Sequence, residues 1–348
     1  MGQANILNKN ELIEKIFIKK IGSNHTNAKI KVVSNSKSKE YKLPIISLKN
    51  NHGPTVLLLG ANHGDETEGF ISLLKLIKNI KLSEISGHLI IIPALNLPAL
   101  ISGKRVSEID NIDMNRSFYK NTNHNLTFVI ANFLRKKILP NVDIILDFHS
   151  GGSKRKFSDM AKYYHYNDKF LMEKSFKIAL SFRAPICLKH VEKKPHGMLD
   201  VLAVKLNKIY VSTELGGGGL ANKQSILIAD NGINNVLKFL KIIKRDLKYI
   251  TRIKTNRSKI IMLNEEKKNF IKSNSNGIFE SNINLNKKIR KKDLIGTIHF
   301  PNNTKRKSIK IFSKISGIVI GITNNSYIKK GEFLALIGVL KDKNYEKK

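Results

Sequence analysis

Apolar runs that alternate with amphipathic segments characterise the first 250 residues. The run at 55–59 is continuously apolar, as in a buried parallel strand. In the segment that follows, Phe70, Leu73, Leu74 and Ile77 fall on one face of a helix. Further strands are predicted at 89–92, 143–148 and 208–213, and further helices at about 128–138 and 231–247. This alternation predicts an α/β domain with a mostly parallel sheet.

The two ends of the chain have a different texture. The first fifty residues predict an irregular lead-in with short strands, which we assign to the same domain, residues 1–250. After residue 258, short apolar stretches are separated by Asn, Gly and Lys, without a helical period. Residues 256–342 are therefore predicted to form a small all-β domain. We expect this domain to serve as a lid or as a surface for a homo-oligomer.

The composition fits a soluble globular protein. Of 348 residues, 41% are hydrophobic and 26% are charged. No run of about 18 apolar residues predicts a transmembrane helix, and the N-terminus shows no apolar core of a signal peptide. The single cysteine, Cys187, excludes an internal disulfide and a cysteine-based zinc cluster. Together these features predict a cytoplasmic location and no membrane partner.

The positive charge has two interpretations. Lys and Arg total 62 against 27 for Asp and Glu, a net charge of +35, which is compatible with a nucleic-acid-binding protein. However, phosphate-binding patches concentrate Arg and aromatic residues, whereas here Lys is spread along the chain and aromatics are only 7%. We therefore expect no specific nucleic-acid partner, although the field should attract small anions. A nucleic-acid-binding protein on a decayed hydrolase scaffold remains the alternative from another class.

Candidate chemistry follows the predicted strands. His63 and Glu66 follow the first strand, His149 follows the third, and Glu214 follows the fourth. Ligands of open α/β sheets bind at the carboxyl ends of strands, so these side chains are expected to meet. Two His and one Glu form a known catalytic zinc set that leaves the fourth position to water. No HExxH motif is present in the sequence.

Glu214 suits a role beyond that of a fourth ligand. Zinc lowers the pKa of bound water to about 7, but a base must still take the proton and pass it to the leaving nitrogen. Glu214 precedes the glycines 216–219, which allow a substrate to approach the backbone closely.

A polar segment at 103–118 supplies two arginines in a chain whose usual cation is lysine. Arg105 and Arg116 each offer a planar group that pairs with a carboxylate in a bidentate manner. One could polarise the scissile carbonyl and the other could hold a substrate carboxylate. The spacing does not decide which residue has which role.

Four strings, in chain order, resemble the succinylglutamate desuccinylase/aspartoacylase family of zinc carboxypeptidase-like hydrolases. They are Asn62-His63-Gly64-Asp65-Glu66, Met114-Asn115-Arg116-Ser117-Phe118, Asp147-Phe148-His149-Ser150-Gly151-Gly152 and Thr213-Glu214-Leu215-Gly216-Gly217. The resemblance implies a mostly parallel or mixed sheet flanked by helices, followed by a small β domain. It also implies one Zn²⁺ per chain and a small-molecule substrate, an N-acyl amino acid.

The same resemblance implies the roles of the site residues. It assigns His63, Glu66 and His149 to zinc and Glu214 to acid/base catalysis. It also assigns Arg105 to the acyl carbonyl, and Asn115 and Arg116 to the substrate carboxylate.

Three strings resemble the branch that deacetylates N-α-acetyl-L-2,4-diaminobutyrate in ectoine breakdown. They are Gly103-Lys104-Arg105-Val106-Ser107-Glu108-Ile109-Asp110, His149-Ser150-Gly151-Gly152 and Ile298-His299-Phe300. The chain departs from the usual family pattern at Phe118-Tyr119-Lys120, where Phe-Pro-Gly is common, and lacks the branch's proline between Ser107 and Ile109. Because these changes border the expected carboxylate pocket, N-succinylglutamate, N-acetylaspartate and short peptides remain alternative substrates.

Other polar residues receive weaker assignments. Asp147 either orients a ligating histidine or is a buried polar residue near a strand end. The remaining histidines are expected to be surface or hydrogen-bonded core residues. For His196, in the loop before the last strand of the α/β domain, the alternative is a position that lines the pocket.

Overall fold

The computed structural model describes residues 5–6, 22–34, 37–120, 125–190, 197–253, 258–262 and 268–340. The α/β part contains β1 (Asn5–Ile6), β2 (Gly22–Ser34), β3 (Lys37–Asn50), β4 (Thr55–Leu59), α1 (Glu68–Asn79), β5 (Gly87–Ile92), α2 (Leu97–Ser102), α3 (Leu126–Phe133), β6 (Ile144–Asp147), β7 (Arg155–Phe157), β8 (Met160–Tyr164), α4 (Lys169–Ser181), β9 (Ile186–His190), α5 (Leu199–Lys205), β10 (Ile209–Glu214) and α6 (Lys223–Phe239). Short 3-10 turns lie at Leu82–Glu84, Met114–Arg116 and Leu139–Asn141, and a π-turn at Leu134–Ile138 extends α3.

The described elements after residue 250 are strands. They are β11 (Lys259–Met262), β12 (Phe270–Lys272), β13 (Gly277–Ser281), β14 (Lys288–Ile289), β15 (Leu294–His299), β16 (Ile309–Phe312), β17 (Gly317–Thr323), β18 (Tyr327–Ile328) and β19 (Phe333–Leu340). The apolar stretches predicted as strands in this region coincide with β13, β15, β17 and β19. The domain boundary near residue 256 stays a prediction.

A large mixed sheet links most of these strands. Within the described residues its order is β1-β2-β3-β5-β4-β6-β10-β8-β9-β11-β19-β17-β14. β5, β4, β6 and β10 run parallel to one another, whereas β8 runs antiparallel to β10. A second sheet has the order β16-β15-β13-β18. The predicted α/β fold class, with helices flanking a mixed sheet and a β region at the C-terminal end, is therefore confirmed.

The core lies on both faces of the sheet. One cluster joins Leu57 and Ile145 with residues of α3, and the other joins Leu58 and Leu146 with residues of α1 and α6. This division follows from the strand geometry, because neighbouring side chains in a strand point to opposite faces. Strands buried on both sides explain the continuous apolar runs in the sequence. No helix in the described part of the chain is long and apolar enough to cross a membrane.

Three expectations about local structure are wrong. Residues 22–34 and 37–50 are not short irregular strands, because β2 and β3 pair along 13 residues as a long antiparallel hairpin. The helix expected at 231–247 begins earlier, at Lys223, where the Asn222 side chain accepts a hydrogen bond from the Ser225 backbone and caps the first turn.

The apolar face of α1 is also rotated from the predicted one. Leu73 and Leu76 are buried together with Gly69 and Ser72, whereas Phe70 is only partly buried. A Cβ atom at Gly69 would lie 2.2 Å from the Phe148 Cβ. The small residues therefore face the sheet because the helix packs too closely for a larger side chain.

Candidate active site

Three neighbouring parallel strands bring the predicted residues together. Leu59 of β4 is in register with Asp147 of β6, which is in register with Ser212 of β10. Each strand ends at or within two residues of this row, so the loops that follow leave the same edge of the sheet. The carboxyl-end rule for open α/β sheets explains why residues 63, 149 and 214 meet.

The loop after β4 is fixed by close packing. An added Cβ at Gly64 would lie 1.9 Å from the carbonyl carbon of Ala99 in α2, so only glycine fits at position 64. The Gly64 backbone N–H also donates to the Arg105 carbonyl, at 3.4 Å. These contacts hold the first two candidate ligands against the polar segment that carries Arg105.

His63, Glu66 and His149 form a compact buried cluster. Glu66 Oε1 lies 2.7 Å from His63 Nδ1, and Glu66 Oε2 lies 2.7 Å from His149 Nδ1. The three side chains each offer one ligand atom, and these atoms lie within 4.8 Å of one another. The structure therefore brings together the three residues that the sequence assigned to a metal.

A second carboxylate supports each histidine. His63 Nε2 lies 3.2 Å from Asp113 Oδ1, and His149 Nε2 lies 3.1 Å from Asp147 Oδ2. Asp147 is itself fixed by the Tyr210 hydroxyl, which donates to Oδ2 at 2.6 Å. A carboxylate on the far ring nitrogen is the usual arrangement around a metal-ligating histidine. Of the two interpretations of Asp147, this contact favours the one in which it orients His149.

The electrostatics favour positive charge at this point. Burial alone would lower the pKa of both histidines, but the carboxylates of Glu66 and Asp113 raise the pKa of His63, and those of Asp147 and Glu66 raise the pKa of His149. Burial would raise the pKa of Glu66, yet the two histidines hold it well below its usual range. A divalent cation would be stabilised by the same carboxylates. The donor set, two imidazoles and one carboxylate, fits zinc.

Glu214 lies at the end of β10 and lines the same cavity as the cluster. Its Oε1 accepts a hydrogen bond from the Lys162 ammonium at 2.9 Å. Lys162 is on β8, the antiparallel neighbour of β10, and its side chain is 13% exposed. Burial would lower the pKa of Lys162, but the Glu214 carboxylate raises it, so Lys162 keeps its positive charge beside Glu214.

Arg105 reaches the metal cluster. Its Nη1 donates to Glu66 Oε1 at 3.3 Å, and its Nη2 donates to Asp113 Oδ2 at 3.1 Å. The guanidinium group therefore lies beside the candidate metal ligands.

Asn115 and Arg116 lie on the 3-10 turn that follows Asp113. The Asp113 carboxylate accepts from the Asn115 backbone N–H at 2.9 Å and so caps this turn. The Asn115 side-chain oxygen accepts from the Leu199 backbone N–H at 2.9 Å, which leaves its NH₂ group as the possible ligand donor. Arg116 Nη1 donates to the Asn115 carbonyl at 2.6 Å. Both residues line the cavity.

The cavity has a volume of about 370 Å³, enough for a small amino-acid derivative. Sequence reasoning missed five of its charged lining residues, which are Asp113, Lys154, Arg155, Lys162 and Asp200. A lysine inside the strand-like string Met160-Ala161-Lys162-Tyr163-Tyr164 was a usable signal, and so was a rare arginine close after His149. Asp200 gave no such signal. His196 lies outside the described residues.

Comparison with known proteins agrees with this geometry. Residues 52–240 match the model of the succinylglutamate desuccinylase/aspartoacylase catalytic domain, and the chain belongs to that family. It is therefore an amide hydrolase, of the kind that deacylates N-acyl amino acids.

One curated protein and two solved structures are among the proteins similar to this chain. The N-α-acetyl-L-2,4-diaminobutyric acid deacetylase of Halomonas elongata is 27% identical over 295 residues, 85% of each chain. The product-bound structure of the ectoine utilization protein EutE (DoeB) from Ruegeria pomeroyi is 32% identical, with a TM-score of 0.86 over 93% of this chain and 97% of that one. A succinylglutamate desuccinylase structure from Silicibacter sp. is 31% identical, with a TM-score of 0.85 over 94% of this chain and 97% of that one.

Proposed function

We propose that this protein is a zinc-dependent deacylase whose substrate is N-α-acetyl-L-2,4-diaminobutyrate. The observation that carries the proposal is the buried His63–Glu66–His149 cluster, which shares one cavity with Glu214. The names of the Halomonas and Ruegeria relatives support the substrate. We expect the enzyme to act in the cytoplasm on this small molecule.

His63, Glu66 and His149 would hold the metal, and Asp113 and Asp147 would orient the two imidazoles. When bound, zinc supplies Lewis-acid chemistry, because it polarises a carbonyl and makes a water molecule more acidic. The buried carboxylates around the histidines would compensate the charge of the ion.

Glu214 serves as the general acid/base. Lys162 occupies Oε1, so we assign proton transfer to Oε2. The lysine holds the carboxylate in place, and Glu214 takes a proton during attack and later delivers it to the leaving nitrogen. This delivery matters because an amine leaves as the neutral molecule and not as an anion.

Arg105, Asn115 and Arg116 bind the substrate. Arg105 donates to the acyl oxygen as negative charge develops there. The Asn115 NH₂ group and the Arg116 guanidinium bind the carboxylate of the amino acid. Asp200 is 3% exposed, lines the cavity and has its Oδ2 3.8 Å from His190 Nε2, and a carboxylate at this place favours a substrate with a cationic side chain.

The experiment measures amine release by zinc-loaded protein from N-α-acetyl-diaminobutyrate, its N-γ isomer, N-acetylaspartate and N-succinylglutamate, each with a chelator control. We expect chelator-sensitive turnover of the first compound. Glu214→Gln should lose about 10²–10⁴-fold in kcat with zinc still bound. Glu108→Gln, on an exposed carboxylate paired with Lys104, serves as the matched control.

Preference for another compound in the panel would contradict the proposed substrate but would leave the proposed mechanism unchanged. Absence of turnover with all four, despite bound zinc, would contradict the proposed function. In that case salt-dependent RNA binding would favour the nucleic-acid alternative.

A further inference from the structure

A third arginine reaches the cavity on a short strand that the C-terminal β region holds. Arg155 begins β7, six residues after His149, and lines the same cavity as Glu214. β7 pairs with β17, where Arg155 is opposite Thr323 and Phe157 is opposite Gly321. The position of this arginine therefore depends on residues more than 160 positions later in the chain.

An aromatic ring from the same region supports the Arg155 side chain. The guanidinium carbon lies 5.0 Å from the centre of the Phe333 ring, at the start of β19. The Phe333 ring in turn packs against Phe157 of β7, with 6.2 Å between ring centres. Because a stacked guanidinium keeps its N–H edge available, this contact orients Arg155 for a planar anion such as a carboxylate.

The backbone of β7 is tied to both catalytic loops. The Arg155 N–H donates to the Gly151 carbonyl at 3.1 Å, and the Phe157 N–H donates to the Gly216 carbonyl at 2.8 Å. Gly217 has φ +103°, and a Cβ there would lie 2.5 Å from the Arg155 carbonyl oxygen. The loops after His149 and Glu214 thus fix Arg155 relative to the reacting groups.

The charged groups around Arg155 favour a bound anion. Arg105 is paired with Glu66 and Asp113, whereas Arg155 forms no ion pair with any carboxylate of the described residues. Burial and the like charges of Arg105 and Arg116 lower the pKa of Arg155, and the carboxylates of Glu214 and Glu66 offset this only in part. A bound carboxylate would relieve the repulsion between these guanidinium groups.

We propose that Arg155, supported by Phe333, binds the α-carboxylate of the substrate together with Arg116. The inference rests on the proposed function, since it supposes an N-acyl amino acid in this cavity. The α-carboxylate is favoured because every such substrate carries it. The alternative ligand for Arg155 is a carboxylate on the acyl chain, as in a succinyl group.

The test compares substrates and variants. The variants are Arg155→Gln, Phe333→Leu and, as the matched control, Lys156→Gln, whose side chain lies against Gly218 beside a different cavity. Each is assayed with the N-acetyl amino acid that the panel identifies, with its α-carboxamide and with the N-succinyl analogue. Calorimetry of zinc-loaded protein measures binding of free 2,4-diaminobutyrate and of its α-carboxamide.

Arg155→Gln should raise KM for the acid about 10–100-fold, as expected for loss of a charge-assisted hydrogen bond, and change kcat less than about threefold. The affinity for the free amino acid should fall by the same factor. For the carboxamides, KM and affinity should be the same in Arg155→Gln as in the wild type. Phe333→Leu should show a smaller loss of the same kind, and Lys156→Gln should behave as the wild type.

Two results would overturn the proposal. Equal losses with acid and carboxamide would show a structural role, and losses confined to the succinyl compound would assign Arg155 to the acyl chain. If the panel shows no turnover, the proposed function fails, but the calorimetric comparison of acid and carboxamide still decides whether Arg155 binds the α-carboxylate.

Discussion

The carboxylates next to His63 and His149 show how single residues prepare this site. Asp113 and Asp147 each contact the imidazole nitrogen that faces away from Glu66. Burial would raise the pKa of both carboxyl groups, but the histidines lower it, so both are ionised at neutral pH. An ionised partner fixes the ring orientation and makes the nitrogen toward the metal a better donor.

Asp147→Asn should therefore weaken zinc binding about 10–100-fold, because the amide has nearly the same shape but lacks the charge. Competition with a chromophoric chelator measures the affinity. Asp159→Asn is the control, since that carboxylate contacts Ser225 and, among the residues that the structure describes, no histidine. An unchanged zinc affinity for Asp147→Asn would show that Asp147 does not support His149.

His88 couples stability to pH. It lies near the N-terminal end of β5, whereas the candidate site lies at the C-terminal ends of the parallel strands. Burial, reinforced by Lys49, lowers the pKa of His88 to about 4, and its Nε2 lies 2.8 Å from Ser47 Oγ. The unfolded chain binds the proton near pH 6.5, so it holds more protons than the folded chain between the two values. Stability should thus be complete above pH 6.5 and fall as the pH drops toward 4.

Between pH 7.5 and 5, His88 should account for a loss of about 2 kcal/mol in the free energy of unfolding. Urea unfolding at both pH values measures this loss. The drop should be smaller by that amount in His88→Gln, which does not titrate. Equal drops in the two proteins would mean that His88 does not titrate as described.

At the scale of elements, close contacts between backbone segments place the catalytic loops. Gly64 packs on α2, Gly69 packs on Phe148 after β6, and Gly217 packs on β7. Each contact joins a segment that carries a candidate site residue to a neighbouring helix or strand. The positions of His63, Glu66 and Glu214 thus depend on glycines that have no chemical role.

Gly64→Ala should destabilise the protein by several kcal/mol or displace His63 and Glu66, because the new methyl group overlaps the Ala99 carbonyl. Gly103→Asn is the matched control, since that position has φ +64° and no atom within 4 Å of an added Cβ. Thermal unfolding and zinc affinity should change markedly only in the first variant. A Gly64→Ala protein with normal stability and zinc affinity would refute this packing argument.

At the scale of the molecule, the net charge of +35 acts on ligands before they reach the cavity. Fields of this kind steer anions and are screened by salt within about 10 Å at 0.1 M. N-α-acetyl-diaminobutyrate carries one charge of each sign at neutral pH, so the field exerts little net attraction on it. N-acetylaspartate carries two negative charges.

Raising the salt from about 20 to about 300 mM should change kcat/KM for the acetylated diaminobutyrate less than about twofold. For N-acetylaspartate, kcat/KM (or the inhibitory affinity, if it is only a competitive inhibitor) should fall several-fold over the same salt range. Potassium chloride and potassium glutamate should give the same trend. An equal salt dependence for the two ligands would show that the net charge does not steer anions to this site.

The C-terminal β region belongs to the same scale. Its strand β19 pairs with β11, which pairs with β9, so backbone hydrogen bonding continues from the α/β sheet into this region. An apolar cluster that includes Met160, Ile186, Ile261 and Ile320 covers the junction. This packing supports a role in shaping the cavity through β7, in addition to the expected roles as a lid or an oligomer surface.

The sequence by itself determined the class of fold and the candidate metal cluster. Buried parallel strands require apolar runs, and the ends of such strands meet at one edge, so His63, Glu66, His149 and Glu214 could be grouped from their order alone. The polar segment at 103–118 pointed to Arg105 and Arg116, and the family resemblance added Asn115; all three line the cavity. These features are local in the chain or follow from the regular geometry of a parallel sheet.

Only the tertiary structure decided which further residues reach the cavity. Lys162 meets Glu214 because β8 is inserted antiparallel beside β10, and Arg155 meets Phe333 because β7 pairs with β17. The start of α6 at Lys223 and the long β2–β3 hairpin were likewise not evident from periodicity. Pairing between distant strands depends on the packing of the whole sheet, and no spacing within a single segment encodes it.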